Sequence, residues 1–284
     1  MNKIVNADMI EYWNSAAGRK WVRFQSLMDM SLLPFGQGAM DASGVKTGDT
    51  VIDVGSGCGD TTFELAQRVG LAGQVLGIDV SKPALAQAQG RAAYKTTRNF
   101  KFAQGDAQTH PFDAAAYDLI FSRFGIMFFD DPVAAFHNLW AALKPGGRLA
   151  FVCWRPADEN EWVRVPCAAA REHLPQSASP VPGAPGPFSF GSADRTRQVL
   201  ADAGFAGIAI EPYDAPLVAD ASLDEAVDFL MQIGPVGSAI VQSGMDNGTK
   251  ARLAADLRKA LEPFYTSQGV ALGAAAWIVT AHKS

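Results

Sequence analysis

Apolar residues recur along this chain in two rhythms, and the change between them divides it. Residues 1–45 read as helical, with Tyr12, Trp13, Trp21 and Phe24 on one or two faces at helical spacing. From 50 to about 154, short apolar runs alternate with Ala-rich helical segments. The runs are TVIDVG, QVLGIDV, FKFAQGD, YDLIFSRF and RLAFVCW, and between them lie TTFELAQRV, KPALAQAQGRAAYKT and DPVAAFHNLWAALKPGG. Apolar runs separated by helices predict a doubly wound α/β fold, a parallel sheet covered on both faces. Ser81 is placed to cap the helix that begins near Pro83, and Gly146–Gly147 to end the one finishing at Leu143.

Beyond Trp154 the rhythm loosens. ENEWVRVPCAAAREHL reads as a helix, and PQSASPVPGAPGPFSFG as a loop folding back, with Phe188 and Phe190 at its apolar end. Residues 193–203 predict a helix ending at Gly204, and AGIAIEPY a strand. Residues 222–266 give two helical patches separated by GPVGSAIVQSGMDNG, and ALGAAAWIVTAHKS a final strand. Three regions are expected: a helical lid over 1–45, a nucleoside-binding core over 46–155, and a remainder over 156–284 that completes the sheet and adds a helical insertion.

Composition narrows the function. The chain has 284 residues and a net charge of −5, with no dense Lys/Arg run, which argues against nucleic acid as a partner. MNKIVNADMIEYWN lacks the apolar segment of a signal peptide, and no run has the length needed for membrane insertion. Three widely spaced cysteines provide neither a disulfide framework nor a metal site and suit a reducing cytoplasm. A cytoplasmic protein is expected, its oligomeric state open and a homodimer compatible.

The chemistry gathers around VIDVGSGCGD, residues 51–60, where a strand runs through a glycine loop into a helix. Such a loop exposes N–H groups at a helix N-terminus. Asp79 ends the next strand some 20 residues on, where a carboxylate grips ribose hydroxyls, and Asp106 ends the third. Three acids at successive strand ends face one crevice. The dinucleotide fingerprint is G-x-G-x-x-G, but Asp60 stands at its third glycine and Asp53 just ahead of the loop. A carboxylate there repels a pyrophosphate, by on the order of several kcal/mol where solvation is poor, and favours a ligand with an amino group and a sulfonium.

VIDVGSGCGD, VLGIDVS, AQGDAQTHPF, YDLIFSRFGIMFF and LKPGGRLAFVCW together resemble the successive motifs of class I S-adenosylmethionine-dependent methyltransferases, in the ubiquinone-biosynthesis-like, small-molecule group. The resemblance is strong over about 45–155 and weak elsewhere. It implies a Rossmann-like, mostly parallel seven-stranded sheet whose last strand is antiparallel. It also implies S-adenosyl-L-methionine as cofactor, with S-adenosyl-L-homocysteine as product. Gly55 and Gly57 then lie under the methionine part, Asp53 orients its amino group, and Asp79 binds the ribose with Val80 against the adenine. Asp106 and Ala107 meet the adenine edge, while Ser122 and Arg123 line the methionyl side. In resembling enzymes the N-terminal helix folds over the cofactor, so Tyr12, Trp13 or Trp21 shields the sulfonium, favourable by about a kcal/mol. Pro34, Gly36, Gly38 and Gly44 are expected to give its connection turns and freedom. Cys58 within the loop reads as structural.

A sulfonium is already activated, so alignment and water exclusion come first and a general base is optional. His110, just after the adenine segment, and His173, on the helix after the core, are the candidate acid–base residues. The fourth strand is followed by FSRFGIMFF and not by the Asn/Asp-Pro-Pro-Tyr type motif common in enzymes of this fold that methylate nucleic-acid or protein nitrogens. Phe124, Met127, Phe128 and Phe129, with Phe188 and Phe190, favour a small, largely apolar acceptor. The rival readings are a nucleotide-dependent oxidoreductase on the same sheet and a non-catalytic nucleoside-binding protein.

Overall fold

The computed structural model describes residues 5–174, 183–220, 222–267 and 269–284. Its centre is a sheet in the order β3-β2-β1-β4-β5-β8-β6. The strands are β1 (Thr50–Val54), β2 (Gln74–Asp79), β3 (Phe100–Gln104), β4 (Tyr117–Arg123), β5 (Leu143–Trp154), β6 (Ala206–Asp220) and β8 (Gly269–His282). The first five pair in parallel, and β8 runs antiparallel to both β5 and β6. This is the expected seven-stranded arrangement with the last strand reversed. A two-residue strand, β7 (Tyr265–Thr266), adds a hairpin beside β8.

The apolar runs became strands because the sheet is packed on both sides: Val51, Ile52, Leu119, Ile120, Phe121, Phe151 and Val152 are all buried. Helices α4 (Asp60–Val69) and α5 (Lys82–Ala92) cross over between the first strands, and α6 (Pro132–Ala142) links β4 to β5. Ser81 caps α5 by accepting from the Ala84 N–H. In contrast, Gly146–Gly147 does not terminate α6. The helix stops at Ala142, and Leu143 already pairs with Tyr117, so the Lys-Pro-Gly-Gly segment lies within an irregular start to β5.

Three N-terminal helices precede the sheet: α1 (Ala7–Asn14), α2 (Ala16–Arg23) and α3 (Gln25–Ala42). The turns expected at Pro34, Gly36 and Gly38 are absent, for α3 runs straight through them. Packing overrides propensity here. Phe35, Ala39 and Met40 are buried, a Cβ on Gly36 would lie 3.1 Å from Arg123, and one on Gly38 would strike the Tyr213 ring at 2.8 Å. The Tyr213 hydroxyl donates to the Pro34 carbonyl at 3.0 Å. α3 is therefore part of the core, and the breaks in the N-terminal region fall at Ser15 and Phe24.

The C-terminal helices are α7 (Glu161–Ala170), α8 (Ala193–Asp202), α9 (Leu223–Leu230), α10 (Gly234–Ser243) and α11 (Asn247–Leu261). α10 occupies the stretch expected to separate two helical patches. Pro235 starts it, Gly244 in the left-handed region ends it, and Val236 and Ile240 bury its apolar face. α7, α9, α10 and α11 share a second apolar cluster that includes Leu27 of α3. Residues 175–182, the first half of the loop expected to fold back, lie outside the described residues. Among the described residues, no helix is long and apolar enough to cross a membrane.

Candidate functional site

The parallel strands bring their carboxyl ends to one edge, where β1 passes into the glycine loop. Gly55, Gly57 and Gly59 all have positive φ, a conformation cheap only for glycine. A Cβ on Gly55 would sit 2.6 Å from the Gly125 Cα, so this glycine is demanded by the loop after β4. Nothing lies within 4 Å of the corresponding position on Gly57, which leaves its face open.

Asp53, at the end of β1, is 0% exposed. Its Oδ2 accepts from the hydroxyls of Thr61 at 2.7 Å and Thr62 at 2.6 Å, on the first turn of α4. Gly77 of β2 makes room for Thr62, since a Cβ there would lie 2.7 Å from its Oγ1. Asp53 Oδ1 is buried with no hydrogen-bond partner, and so is Ser56 Oγ within the loop. Such groups ordinarily find partners. Burial pushes the Asp53 carboxyl up to about 6, opposed by the two threonine bonds and the charge of Arg123. A cationic amino group is the partner this oxygen lacks, so the residues present fit the amino-acid end of S-adenosylmethionine.

Asp79 accepts from the backbone N–H of Gly57 at 2.8 Å and of Ser81 at 2.7 Å. It thereby ties the glycine loop to the end of β2, with burial raising its pKa. Asp106 accepts from the Gln108 N–H at 2.9 Å and from the Asn6 amide at 2.8 Å. Asn138 of α6 braces the same loop by donating to the carbonyls of Ala107 and His110. The expected strand-end residues Asp53, Asp79, Val80, Asp106 and Ala107 are thus brought to one edge. Burial and the nearby Asp29 push the Cys58 thiol up to about 12, so no thiolate forms at neutral pH, in keeping with a structural cysteine.

The N-terminal helix α1 docks on the end of β2. Asn14 donates to the Val80 carbonyl at 2.9 Å and accepts from the Lys82 N–H, and Ser81 donates to the Trp13 carbonyl at 3.0 Å. Trp13 packs edge-on against Tyr12, Trp21 and Phe128, with centroids 5.2, 5.5 and 5.3 Å away. Phe124 holds a left-handed backbone (φ 59), sparsely populated for a bulky side chain, and stacks on Trp154 at 3.9 Å. Trp154 meets Trp162 at 5.1 Å, and Trp162 approaches Phe188 at 6.1 Å. A buried aromatic stack, which Phe35 of α3 joins 5.7 Å from Phe124 and 5.2 Å from Trp154, therefore stands beside the end of β4.

Several expected site residues stand elsewhere. Ser122 is fully buried, donates to the Val54 carbonyl and accepts from the Gly125 N–H, so it stitches β4 to β1 and lines nothing. Met127 and Phe190 are core: Phe190 packs on Phe136 and Phe151, while the Met127 carbonyl anchors Gly186 and Ser189. The short segment Ile126–Phe128 is a turn of 3₁₀ helix that faces Met127 inward. His110 lies over Gly105 and against Phe112 at the β3 end, and His173 pairs with Asp256 of α11 at 2.6 Å. The structure brings neither histidine to Asp53, Arg123 or Phe124. Arg123 does reach the loop, bonded to Asp60 at 3.0 Å. Asn6, Asn14, Thr61, Thr62, Asp29 and Arg91 were not singled out from sequence. Their helices carry several polar residues each, so polarity alone does not mark them out, and Asn6 stands just ahead of α1.

Residues 51–147 match the methyltransferase domain family. Aklanonic acid methyltransferase DauC of a Streptomyces species is 33% identical over 153 residues, 52% of this chain and 70% of that protein. Ubiquinone/menaquinone biosynthesis C-methyltransferase UbiE of Cellvibrio japonicus is 37% identical over 111 residues, 39% of this chain and only 45% of that one. The YcgJ protein from Bacillus subtilis shares the fold, with a TM-score of 0.54 at 19% identity over 89% of this chain and 98% of its own. The match to DauC covers 70% of that protein, and with the family match over residues 51–147 it makes the chain a member of the class I S-adenosylmethionine-dependent methyltransferases.

Proposed function

We propose that this chain transfers the methyl group of S-adenosylmethionine to a small, largely apolar ring compound. The observation that carries the reading is the pair of ring contacts beyond β4, Trp13 on Phe128 and Phe124 on Trp154, together with a buried, unpartnered Asp53 oxygen at the end of β1. One supplies an apolar bed for the acceptor, the other a partner for the cofactor's amino group. Bound there, the cofactor supplies an electrophilic methyl on a sulfonium. The chain's own residues align the two ligands and exclude water, with Trp13 and Trp21 placed to shield positive charge at about a kcal/mol. Relatives named for aklanonic acid and for ubiquinone/menaquinone biosynthesis support a small-molecule acceptor. A net charge of −5 speaks against nucleic acid.

Calorimetry with S-adenosylhomocysteine and NAD, followed by S-adenosylhomocysteine release assays on a panel of hydroquinones, phenols and polar amines, tests this. Binding of S-adenosylhomocysteine alone and turnover on the apolar ring compounds are expected. Tight NAD binding, or turnover restricted to the polar amines, overturns it.

A further inference from the structure

The open edge of the glycine loop is closed by charge. Asp29, on α3, lies 2.9 Å from Arg91 Nη2 and 3.7 Å from Arg123 Nη2. Both arginines also hold Asp60, Arg123 at 3.0 Å and Arg91 at 3.6 Å. Arg91 Nη1 donates to the Cys58 carbonyl at 2.7 Å, which fixes that guanidinium to the glycine loop itself. None of the four side chains is more than 29% exposed. Next to this cluster, and within reach of Arg123's charge, stands Asp53 with its unpartnered Oδ1, and Ser56 Oγ is equally unpaired. Two guanidiniums and one buried, unpartnered carboxylate oxygen near them complement a free amino acid head group, a carboxylate and an ammonium on the same carbon.

We propose that Arg91 and Arg123 receive the α-carboxylate of the cofactor's methionyl end, and that Asp29 occupies that place until the cofactor arrives, an internal competitor carried on α3. This rests on the S-adenosylmethionine reading of the crevice. Asp60 is the acid that stays. It sits in the first turn of α4, where the helix dipole favours a negative charge, and it is the nearer partner of Arg123. Asp29 has no such support. Burial and the charge of Asp60 both work against its ionised form, and beyond the arginines it accepts only from Gln25, one turn back on its own helix. It is the weaker anion of the pair and the one a ligand carboxylate displaces.

Two ligands separate this device from a purely structural ion cluster. S-adenosylhomocysteine carries the amino acid head, whereas 5′-methylthioadenosine has the same nucleoside and thioether without it. Their dissociation constants are measured by calorimetry for the native chain, Asp29→Asn and Arg91→Gln, with circular dichroism confirming folding. Asp29→Asn should bind S-adenosylhomocysteine about three- to tenfold more tightly, and Arg91→Gln about tenfold or more weakly. Binding of 5′-methylthioadenosine should be unchanged in both. Unchanged or weaker S-adenosylhomocysteine binding in Asp29→Asn, or parallel shifts for both ligands, overturns the proposal. If Asp29→Asn does not fold, the Arg91→Gln comparison decides alone, and equal loss of both ligands refutes it. A native chain that binds neither ligand refutes the cofactor reading itself, a separate outcome.

Discussion

Replacing Asp53 by asparagine should make the ligand-free protein more stable at neutral pH and its cofactor binding worse. Asp53 is fully buried, and its carboxyl is raised from 3.8 to about 6. That gap of about two pH units, at about 1.4 kcal/mol each, is about 3 kcal/mol against ionising it in the folded chain. The sign follows from the raised value. The contribution of Asp53 is fully favourable below about pH 4, where it is protonated folded or unfolded. It is lost as pH rises to about 6, because the unfolded chain ionises first. Asparagine has the same shape, and the Thr61 and Thr62 hydroxyls can rotate to meet its amide. Urea unfolding of the ligand-free proteins should therefore give similar stabilities near pH 4 and an advantage for Asp53→Asn approaching 3 kcal/mol at pH 7.5. S-adenosylhomocysteine should bind the variant about ten- to a hundredfold more weakly at pH 7.5, from loss of a charge-assisted bond of about 1.5–3 kcal/mol. The native chain's affinity should climb between pH 5 and 7 while the variant's stays flat. Identical stability profiles for the two proteins, or a variant less stable at pH 7.5 with unaltered affinity, would refute the reasoning.

Asp79→Ala should weaken S-adenosylhomocysteine binding about ten- to a thousandfold, because the carboxylate that holds the Gly57 N–H is the one we propose for the ribose hydroxyls; an unchanged dissociation constant in calorimetry sinks that assignment. Gly55→Ala should lower stability by more than about 2 kcal/mol in urea unfolding, given its positive φ and the 2.6 Å approach to Gly125, whereas Gly57→Ala should cost about 1 kcal/mol and chiefly impair cofactor binding. Equal stability losses at the two positions would contradict this division. Hydrogen exchange over residues 8–23 should slow when S-adenosylhomocysteine is added, while α3 is protected throughout; Asn14→Ala should speed exchange in α1 by about fivefold, from loss of bonds of about 1 kcal/mol. Full protection of α1 and α2 without ligand would make them fixed core helices.

Much of the sheet was readable because its parallel strands, buried on both faces, leave continuous apolar runs, and because Ser81 and Gly204 mark helix ends locally. The strand-end acids were legible for the same reason: their spacing follows from the repeating strand–helix unit. What failed depends on distant partners. Pro34, Gly36 and Gly38 look like turn residues until Tyr213 and Arg123, far along the chain, fill the space beside them. The sequence GPVGSAIVQS looks like a loop until α7 and α9 bury Val236 and Ile240. Within the site, Ser122, Met127 and Phe190 share composition with true lining residues and are told apart only by which way the backbone faces them. Asp29 and Asn14 are polar residues among several on their helices and Asn6 stands just ahead of α1, and their meeting with Arg91, Val80 and Asp106 is a product of how the N-terminal helices pack on the strand ends.

The most direct test of the account follows the methyl group. The purified protein is incubated with S-adenosylmethionine labelled at that carbon and with a cell extract divided into small-molecule, protein and nucleic-acid fractions, and each is analysed by mass spectrometry. The account predicts label in an apolar compound of the small-molecule fraction, one methylene heavier than its precursor, with stoichiometric S-adenosylhomocysteine. Label confined to protein or nucleic acid, or no transfer to any fraction by a protein that binds S-adenosylhomocysteine, would contradict it.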